Sequence, residues 1–395
     1  MIAKIVHENL KNASWIRRMF VEGAKLREQF GDENVYDYSI GNPYFEPPKA
    51  VTDKLKALVN SDATGTHRYM DNAGYKDVRG KVAKSISADM QNPIGSEHVL
   101  MTVGAAGGIN VILRTVLDAG DEVIIFAPYF AEYIFYIQNN NGIPVIIKTD
   151  ENTFEPDMDE LAKHITEKTR AIIVNTPNNP TGVIYSSETL KKMGEVITEK
   201  ETIYGREIYL ISDEPYKALV YDEVEVPNIH NFFRHSIIVN SFSKSLGLAG
   251  ERIGYIAINS QFEDVDLFMS GLAFSNRTLG FVNAPALWQK VIADTLEASV
   301  DISEYKMRRD LLLQKLREMG FEMVEPKGAF YLFPKALEAD DVQFVMEAKK
   351  FNLLLVPGSG FGYPGYFRMS YCVDLTMIER SLPAFEKLMD YYKNK

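Results

Sequence analysis

The sequence predicts an α/β protein built on a doubly wound, mostly parallel sheet with a second, smaller α+β unit, and three observations carry that reading. Seven short apolar runs recur between residues 99 and 258: HVLMTV, EVIIFA, IPVIIK, AIIVN, IYLISD, SIIVNS and IGYIAI. Helical patterns near 107–117, 130–140, 158–166 and 186–200 fall between them, and continuous apolar runs alternating with helices predict parallel strands buried on both faces. After residue 280 the pattern changes. Two long helical stretches, 281–296 and 299–319, are followed by AFYLFP, LLLVPG and YFRMSY, which mix strands with helices up to a C-terminal helix at 375–392.

Ahead of the first strand, Ser14 and the periodic stretch to Phe30, closed by Gly31, predict a capped helix with a glycine stop. It is an ordinary packing helix or, through Trp15, Arg17 and Arg18, a cover over the site. The turn-rich segment YSIGNPYFEPP follows. The N-terminus lacks the apolar stretch and cleavage site of a signal peptide, and no run reaches the ~20 apolar residues of a membrane span. At 395 residues, 46% hydrophobic and 25% charged, the chain is long and apolar enough for a substantial core and two units. A net charge of −11 with no dense basic run excludes a nucleic-acid footprint, so an anionic ligand must be met by a few local cations. The single cysteine, Cys372, rules out an internal disulfide framework and fits a reducing compartment, with the cytoplasm as the expected location. No metal is expected.

In a doubly wound sheet ligands gather at the carboxyl ends of the strands, and four such ends carry suitable chemistry. HVLMTVGAAGG passes from a strand through Gly104 into a helix, which turns the amides of Ala105 and Ala106 toward open space as an anion site, or forms only a tight turn. AIIVNTPNNPTG holds Asn178 and Asn179 in a proline-rich turn, where the Asn179 amide can donate to a ligand oxygen or simply serve the loop. IYLISDEPY sets Asp213 after an apolar strand, either as the cap of a helix starting toward Tyr216 or as a carboxylate that keeps a heteroaromatic nitrogen protonated. SIIVNSFSKS presents Ser241, Ser243 and Lys244, with Arg252 eight residues on. Hydroxyls, a primary amine and a second cation suit an anion joined to a reactive carbonyl, because lysine forms a Schiff base with an aldehyde once its pKa is lowered. In YPGYFRMSY, aromatic residues surround Arg368, which pairs with an internal carboxylate or awaits one on a ligand.

Taken in order, SIGNP, RYMDNAGY, VGAAGG, PYF, NNPTG, SDEPY, SFSKSLGLAGERIGY, PKGAFYLFP and YFRMSY give the chain a resemblance, over nearly its whole length, to the class I/II aminotransferases of fold type I, the aspartate aminotransferase-like group. The resemblance implies pyridoxal 5′-phosphate as cofactor. It implies that Lys244 forms the Schiff base with it and shuttles the substrate proton, that Asp213 holds the pyridine nitrogen protonated, and that Asn179 and Tyr216 hydrogen-bond the phenolic oxygen. Gly104, Ala105, Ala106, Ser241, Ser243 and Arg252 would hold the phosphate, Phe130 would stack on the ring, and Tyr69 would reach in from a second subunit of a homodimer. Arg368 would fork the substrate α-carboxylate, helped by the backbone at Gly41 and by Asn179.

The implied division is a large cofactor unit, 45–285, and a small unit formed by 1–44 and 286–395. The implied activity is ping-pong transfer of an amino group from an L-amino acid to a 2-oxo acid, aspartate-like or of broad specificity over aspartate, aromatic residues and alanine with 2-oxoglutarate. A β-lyase acting on cysteine conjugates is the alternative on the same cofactor. A non-catalytic regulator is disfavoured, because the ~40 residues before SIGNP are too few for a DNA-binding unit. The sequence departs from the group at Ala105 and Ala106, where relatives carry polar side chains. It also has no arginine just before Ser275, where the aspartate enzymes bind a distal carboxylate; Arg277 follows instead.

Overall fold

A computed structural model of the protein describes residues 2–11, 15–61 and 64–395. The chain forms strands β1 (Tyr36–Asp37), β2 (Val99–Thr102), β3 (Glu122–Ala127), β4 (Ile143–Lys148), β5 (Thr169–Asn175), β6 (Tyr209–Asp213), β7 (Ser236–Ser241), β8 (Gly254–Ile258), β9 (Tyr331–Leu332), β10 (Leu353–Leu354), β11 (Val356–Pro357) and β12 (Phe367–Ser370). The seven strands β2 to β8 make one sheet in the order β2-β8-β7-β6-β5-β3-β4. Every pair in it is parallel except those of β8, which runs antiparallel to both β2 and β7.

Burial on both faces explains why these strands read as unbroken apolar runs. Ile172 and Val174 of β5 enter one core, while Ala171 and Ile173 enter another on the opposite face beneath the helix Gly104–Val116. One of the two edge strands is the exception. Ile143 and Ile146 of β4 are 49% and 44% exposed, whereas β2 at the other edge is buried throughout.

Helices Gly104–Val116, Glu132–Asn139, Met158–His164 and Ser187–Tyr204 fill the expected intervals. Asp157 and Ser186 cap two of them through their side chains, and Gly205 closes the last at φ +62°. The N-terminal helix spans Trp15–Phe30 and stops at Gly31 with φ +82°. Its expected cap, Ser14, lies outside the described residues, as do the side chains of Arg17 and Arg18. Trp15 packs against the sheet core and the second core alike, and Met19 is fully buried in the latter. Helices Lys49–Val59, Lys76–Ile86 and Val265–Thr278 were not expected from the pattern. The stretch 281–296 is helical only over Ala286–Ile292, because Val282 takes a left-handed φ of +61° and Pro285 occupies the N-cap. Among the described residues no helix is long and apolar enough to cross a membrane.

A second core holds Met19, Val35 and Tyr38 together with helices Ile302–Met319 and Leu375–Lys393 and strands β9 and β12 of the three-stranded sheet β11-β12-β9, whose β11 turns Val356 into the core of the large sheet. Val291 and Ile292 still belong to the core of the large sheet, and Val300 is the next residue to enter the second core. We therefore propose that the junction between the units lies between 292 and 300, beyond the expected 285.

Candidate active site

Strand register brings the predicted residues to one edge. Asn175 at the end of β5 pairs with Asp213 at the end of β6. Gly254 opens β8 and pairs with both Thr102 and Ser241, the last residues of β2 and β7. The segments leaving these ends line one cavity of about 290 Å³ with Gly41, Ala105, Ala106, Phe130, Asn179, Asp213, Tyr216, Ser241, Ser243, Lys244, Arg252 and Arg368.

The anion end is built first by backbone. Gly104 sits at φ +72°, a left-handed conformation that favours glycine, and a Cβ there would lie 2.8 Å from Arg252 Nη2. The chain therefore turns sharply into a helix of 13 residues whose first amides, at Ala105 and Ala106, flank the exposed Arg252 guanidinium. Hydroxyls of Ser241 and Ser243 complete this corner.

At the acidic end, Asp213 is the final residue of β6 rather than a helix cap. It is buried; Oδ2 accepts a hydrogen bond of 2.5 Å from Tyr133 Oη, and Oδ1 has no protein partner. Burial pushes this carboxyl up to about 7, and the Tyr133 hydroxyl limits the rise. Asn175 holds the strand end in place: Nδ2 donates to Asp213 O at 2.8 Å, and Oδ1 accepts from Asn179 N at 2.7 Å. Asn178 is spent inside its own turn, accepting from Thr181 N and Oγ1.

Lys244 lies between the two ends. Its Nζ donates to Gly41 O at 2.8 Å and sits 5.3 Å from the centre of the Phe330 ring. Desolvation lowers its pKa to about 8, with Arg368 and Arg252 pushing the same way and Cys372 opposing, so a neutral amine is available near neutral pH.

Arg368 on β12 is 2% exposed and stacks over Tyr331 and Phe361 at 4.6 and 4.9 Å. It donates to Ser39 O at 2.6 Å and to Asn179 Oδ1 at 3.1 Å, while Nε has no partner. Among the described residues no carboxylate pairs with it, so the internal ion pair left open by the sequence is not formed. Burial without a counter-ion pulls its pKa down.

Three members of this constellation escaped the sequence reading. Tyr331 lines the cavity, bonds Tyr216 Oη at 2.9 Å and comes so near Gly41 that a Cβ at 41 would lie 2.2 Å from its hydroxyl. Tyr133 and Asn175 are the others; Asn175 and Tyr331 stood inside quoted motifs without a role, and Tyr133 fell within the helical pattern near 130–140. Tyr69 is 91% exposed and does not line the cavity of its own chain. Arg277 is also exposed, 5.4 Å from the Phe274 ring and away from the cavity.

A lysine amine poised between an anion cup and a buried carboxylate, at the carboxyl edge of a seven-stranded, mostly parallel sheet, defines a fold type I transferase. The chain belongs to the family of class I and II aminotransferases, whose sequence model matches residues 33–385. It is 33% identical to an aspartate aminotransferase of Thermotoga maritima over 92% of this chain and 93% of that one. It is 31% identical to aromatic-amino-acid aminotransferase 2 of Thermococcus litoralis, covering 94% and 97%. Among solved structures, an aminotransferase from Eubacterium rectale superimposes with a TM-score of 0.96 at 39% identity, covering 99% of each chain. Aspartate aminotransferase of Thermus thermophilus with maleate gives 0.85 at 27%, over 95% and 97%. The protein is an aminotransferase, a transaminase of amino acids and 2-oxo acids, in a family that works with pyridoxal 5′-phosphate.

Proposed function

We propose that the protein exchanges amino groups between an L-amino acid and a 2-oxo acid on pyridoxal 5′-phosphate held at Lys244, as an aspartate aminotransferase-like enzyme of broad specificity acting as a homodimer. The observation that carries this reading is the meeting, in one cavity, of the Lys244 amine, the unpartnered Oδ1 of Asp213 and an arginine, Arg368, without a counter-ion. The residues fit the cofactor. Amides of Ala105 and Ala106, the hydroxyls of Ser241 and Ser243 and the Arg252 guanidinium suit its phosphate dianion, with Tyr69 of the second subunit expected to join them. Phe130 suits the ring face, and Asn179 and Tyr216 its phenolic oxygen. When bound, this group supplies an aldehyde that condenses with amines and a protonated ring that withdraws electrons from the substrate Cα.

The chain's own residues then divide the work. Asp213 keeps the ring nitrogen protonated: a carboxylate raised by burial ionises once a cation reaches its free oxygen. Arg368 and the Gly41 backbone grip the substrate α-carboxylate in a two-pronged contact that orients the Cα–H bond. Lys244 Nζ, its pKa lowered to about 8 so that it can shed a proton near neutral pH, takes the proton from Cα and later returns one, so it is base and acid in both half-reactions. The β-lyase alternative is not favoured, since relatives across the whole length are named as transferases.

Purified holoenzyme with twenty amino donors and 2-oxoglutarate, oxaloacetate or pyruvate as acceptor tests the reading. Transfer that needs an acceptor, with wild-type violet-region absorbance absent from Lys244→Ala, is the expected result. Pyruvate and ammonia released from cysteine conjugates without acceptor, or undiminished turnover by Lys244→Ala, overturns it.

A further inference from the structure

We propose that Arg308 is a positioning residue for this site: it clamps the segment Ser39–Pro47, and through Ser39 O keeps Arg368 aimed into the cavity. The proposal rests on the reading of Arg368 as the partner of the substrate carboxylate.

Arg308 lies on the helix Ile302–Met319 and is 4% exposed. Its Nε and Nη1 are buried without partners, and the one carboxylate near it among the described residues, Glu304, is 3.6 Å from Nη2 and 43% exposed. A guanidinium left so incomplete is costly. What compensates it is aromatic: the charge sits 4.5 Å from the Tyr44 ring and 4.8 Å from that of Phe45. Its chain neighbour Arg309 shows that this is no general habit of the helix, since Arg309 is fully ion-paired with Asp222 and Asp310.

The two rings are themselves fastened. Tyr44 donates through Oη to Asp374 at 2.8 Å and through N to Tyr305 Oη at 3.1 Å, and Phe45 meets Tyr305 edge-on at 4.8 Å. Phe45 O rests so close to Gly247 that a Cβ there would lie 2.8 Å from it, which seats the segment on the turn after Lys244. Three residues before Tyr44, Gly41 O accepts from Lys244 Nζ, and two residues earlier Ser39 O accepts from Arg368 Nη2. Pro43 fixes one torsion in the short link, so little slack separates the clamped rings from the two working carbonyls. Arg308 thus touches no reacting atom, yet the Ser39 carbonyl that aims Arg368 belongs to the backbone it holds.

The test is kinetic, on holoenzyme. Arg308→Met, which keeps the aliphatic stem but loses the planar charge, should raise KM for the amino donor about fivefold or more while kcat stays within about twofold. Tyr44→Leu should do the same from the other side of the stack, and serves if Arg308→Met fails to fold. Arg308→Lys should restore little, because a point charge cannot cover two ring faces. In a cycle with Arg368→Lys the double variant should be no worse than Arg368→Lys alone, since Arg308 acts through Arg368; an independent structural role would give additive losses. Unchanged KM in folded Arg308→Met and Tyr44→Leu, or additive losses in the cycle, overturns the proposal. Were Arg368→Lys itself to leave KM unchanged, the failure would lie with the carboxylate reading instead.

Discussion

Two places in the protein bury an arginine, and they treat its charge in opposite ways. At the rim of the second core Arg309 meets Asp222 with two nitrogens, at 2.7 and 3.2 Å, and adds Asp310 and Pro326 O. Those hydrogen bonds outweigh the burial of Arg309 and raise its pKa, and the Arg309 contact holds the Asp222 carboxyl well below the usual range. In the cavity Arg368 is as deeply buried as Arg309, and Asp213, unlike the solvent-facing Asp222, is buried with it; the two do not pair with each other, and each keeps an unpartnered polar atom. There the carboxyl is pushed up and the guanidinium down. Identical side chains thus make a finished joint in one region and two unfinished ones in the other, and the unfinished ones are where a ligand completes the electrostatics.

Removing the two arginines breaks the comparison most directly. Arg368→Met should cost about 2–4 kcal/mol of transition-state stabilisation, roughly a hundredfold in kcat/KM, while thermal melting of the apoprotein is unchanged or slightly higher, because an uncompensated charge has left the interior. Arg309→Met should do the reverse. Denaturant unfolding should show a loss of about 1–2 kcal/mol, since the carboxylates left behind face solvent, and kcat/KM below the melting range should stay within about threefold. Loss of activity from Arg309→Met without loss of stability would contradict the distinction.

The acids sharpen it through pH. Asp213 has a folded pKa raised from 3.8 to about 7, so its contribution to stability is full below 3.8 and is lost as pH rises toward 7. Apoprotein carrying Asp213→Asn should therefore melt several degrees above wild type at pH 8 and together with it at pH 4. A smaller effect concerns the amine. Uptake of pyridoxal phosphate by apoprotein should accelerate with pH through a midpoint near 8, where Lys244 loses its proton, rather than near 10.5. The least change is expected from Tyr331→Phe. It keeps the ring beneath Arg368 and removes only the hydroxyl bonded to Tyr216, about 1 kcal/mol by stopped-flow measurement of donor binding.

How much of this was legible beforehand follows from where each signal resides. Strands β5, β6 and β7 announce themselves because both of their faces are buried, and the residues that close them, Asp213 and Ser241 among them, could be named from the chain alone. The edge strand β4 carries the same kind of apolar run, yet half of it is exposed, since composition does not report what covers a strand's faces. Helix Val265–Thr278 was missed because its buried residues, Met269, Leu272, Ser275 and Asn276, are partly polar and blur the apolar period. Tyr133, Asn175 and Tyr331 were missed for another reason. Each acts on a partner far along the chain, as Tyr133 does across 80 residues to Asp213, and nothing local marks a phenol or an amide for such duty. Whether Arg368 was paired or free was undecidable in sequence, because the answer is the absence of an acid from a three-dimensional neighbourhood.

That the guanidinium of Arg368 projects from the second core while Lys244 and Asp213 project from the sheet has a consequence for what can be a good substrate. An amino acid spans from strand β12 to the edge of the seven-stranded sheet, one prong on each, and works there as a staple. A simple amine lacking the carboxylate could reach only one of the two sheets, so discrimination against amines would need no steric gate; it would follow from which sheet each grip belongs to.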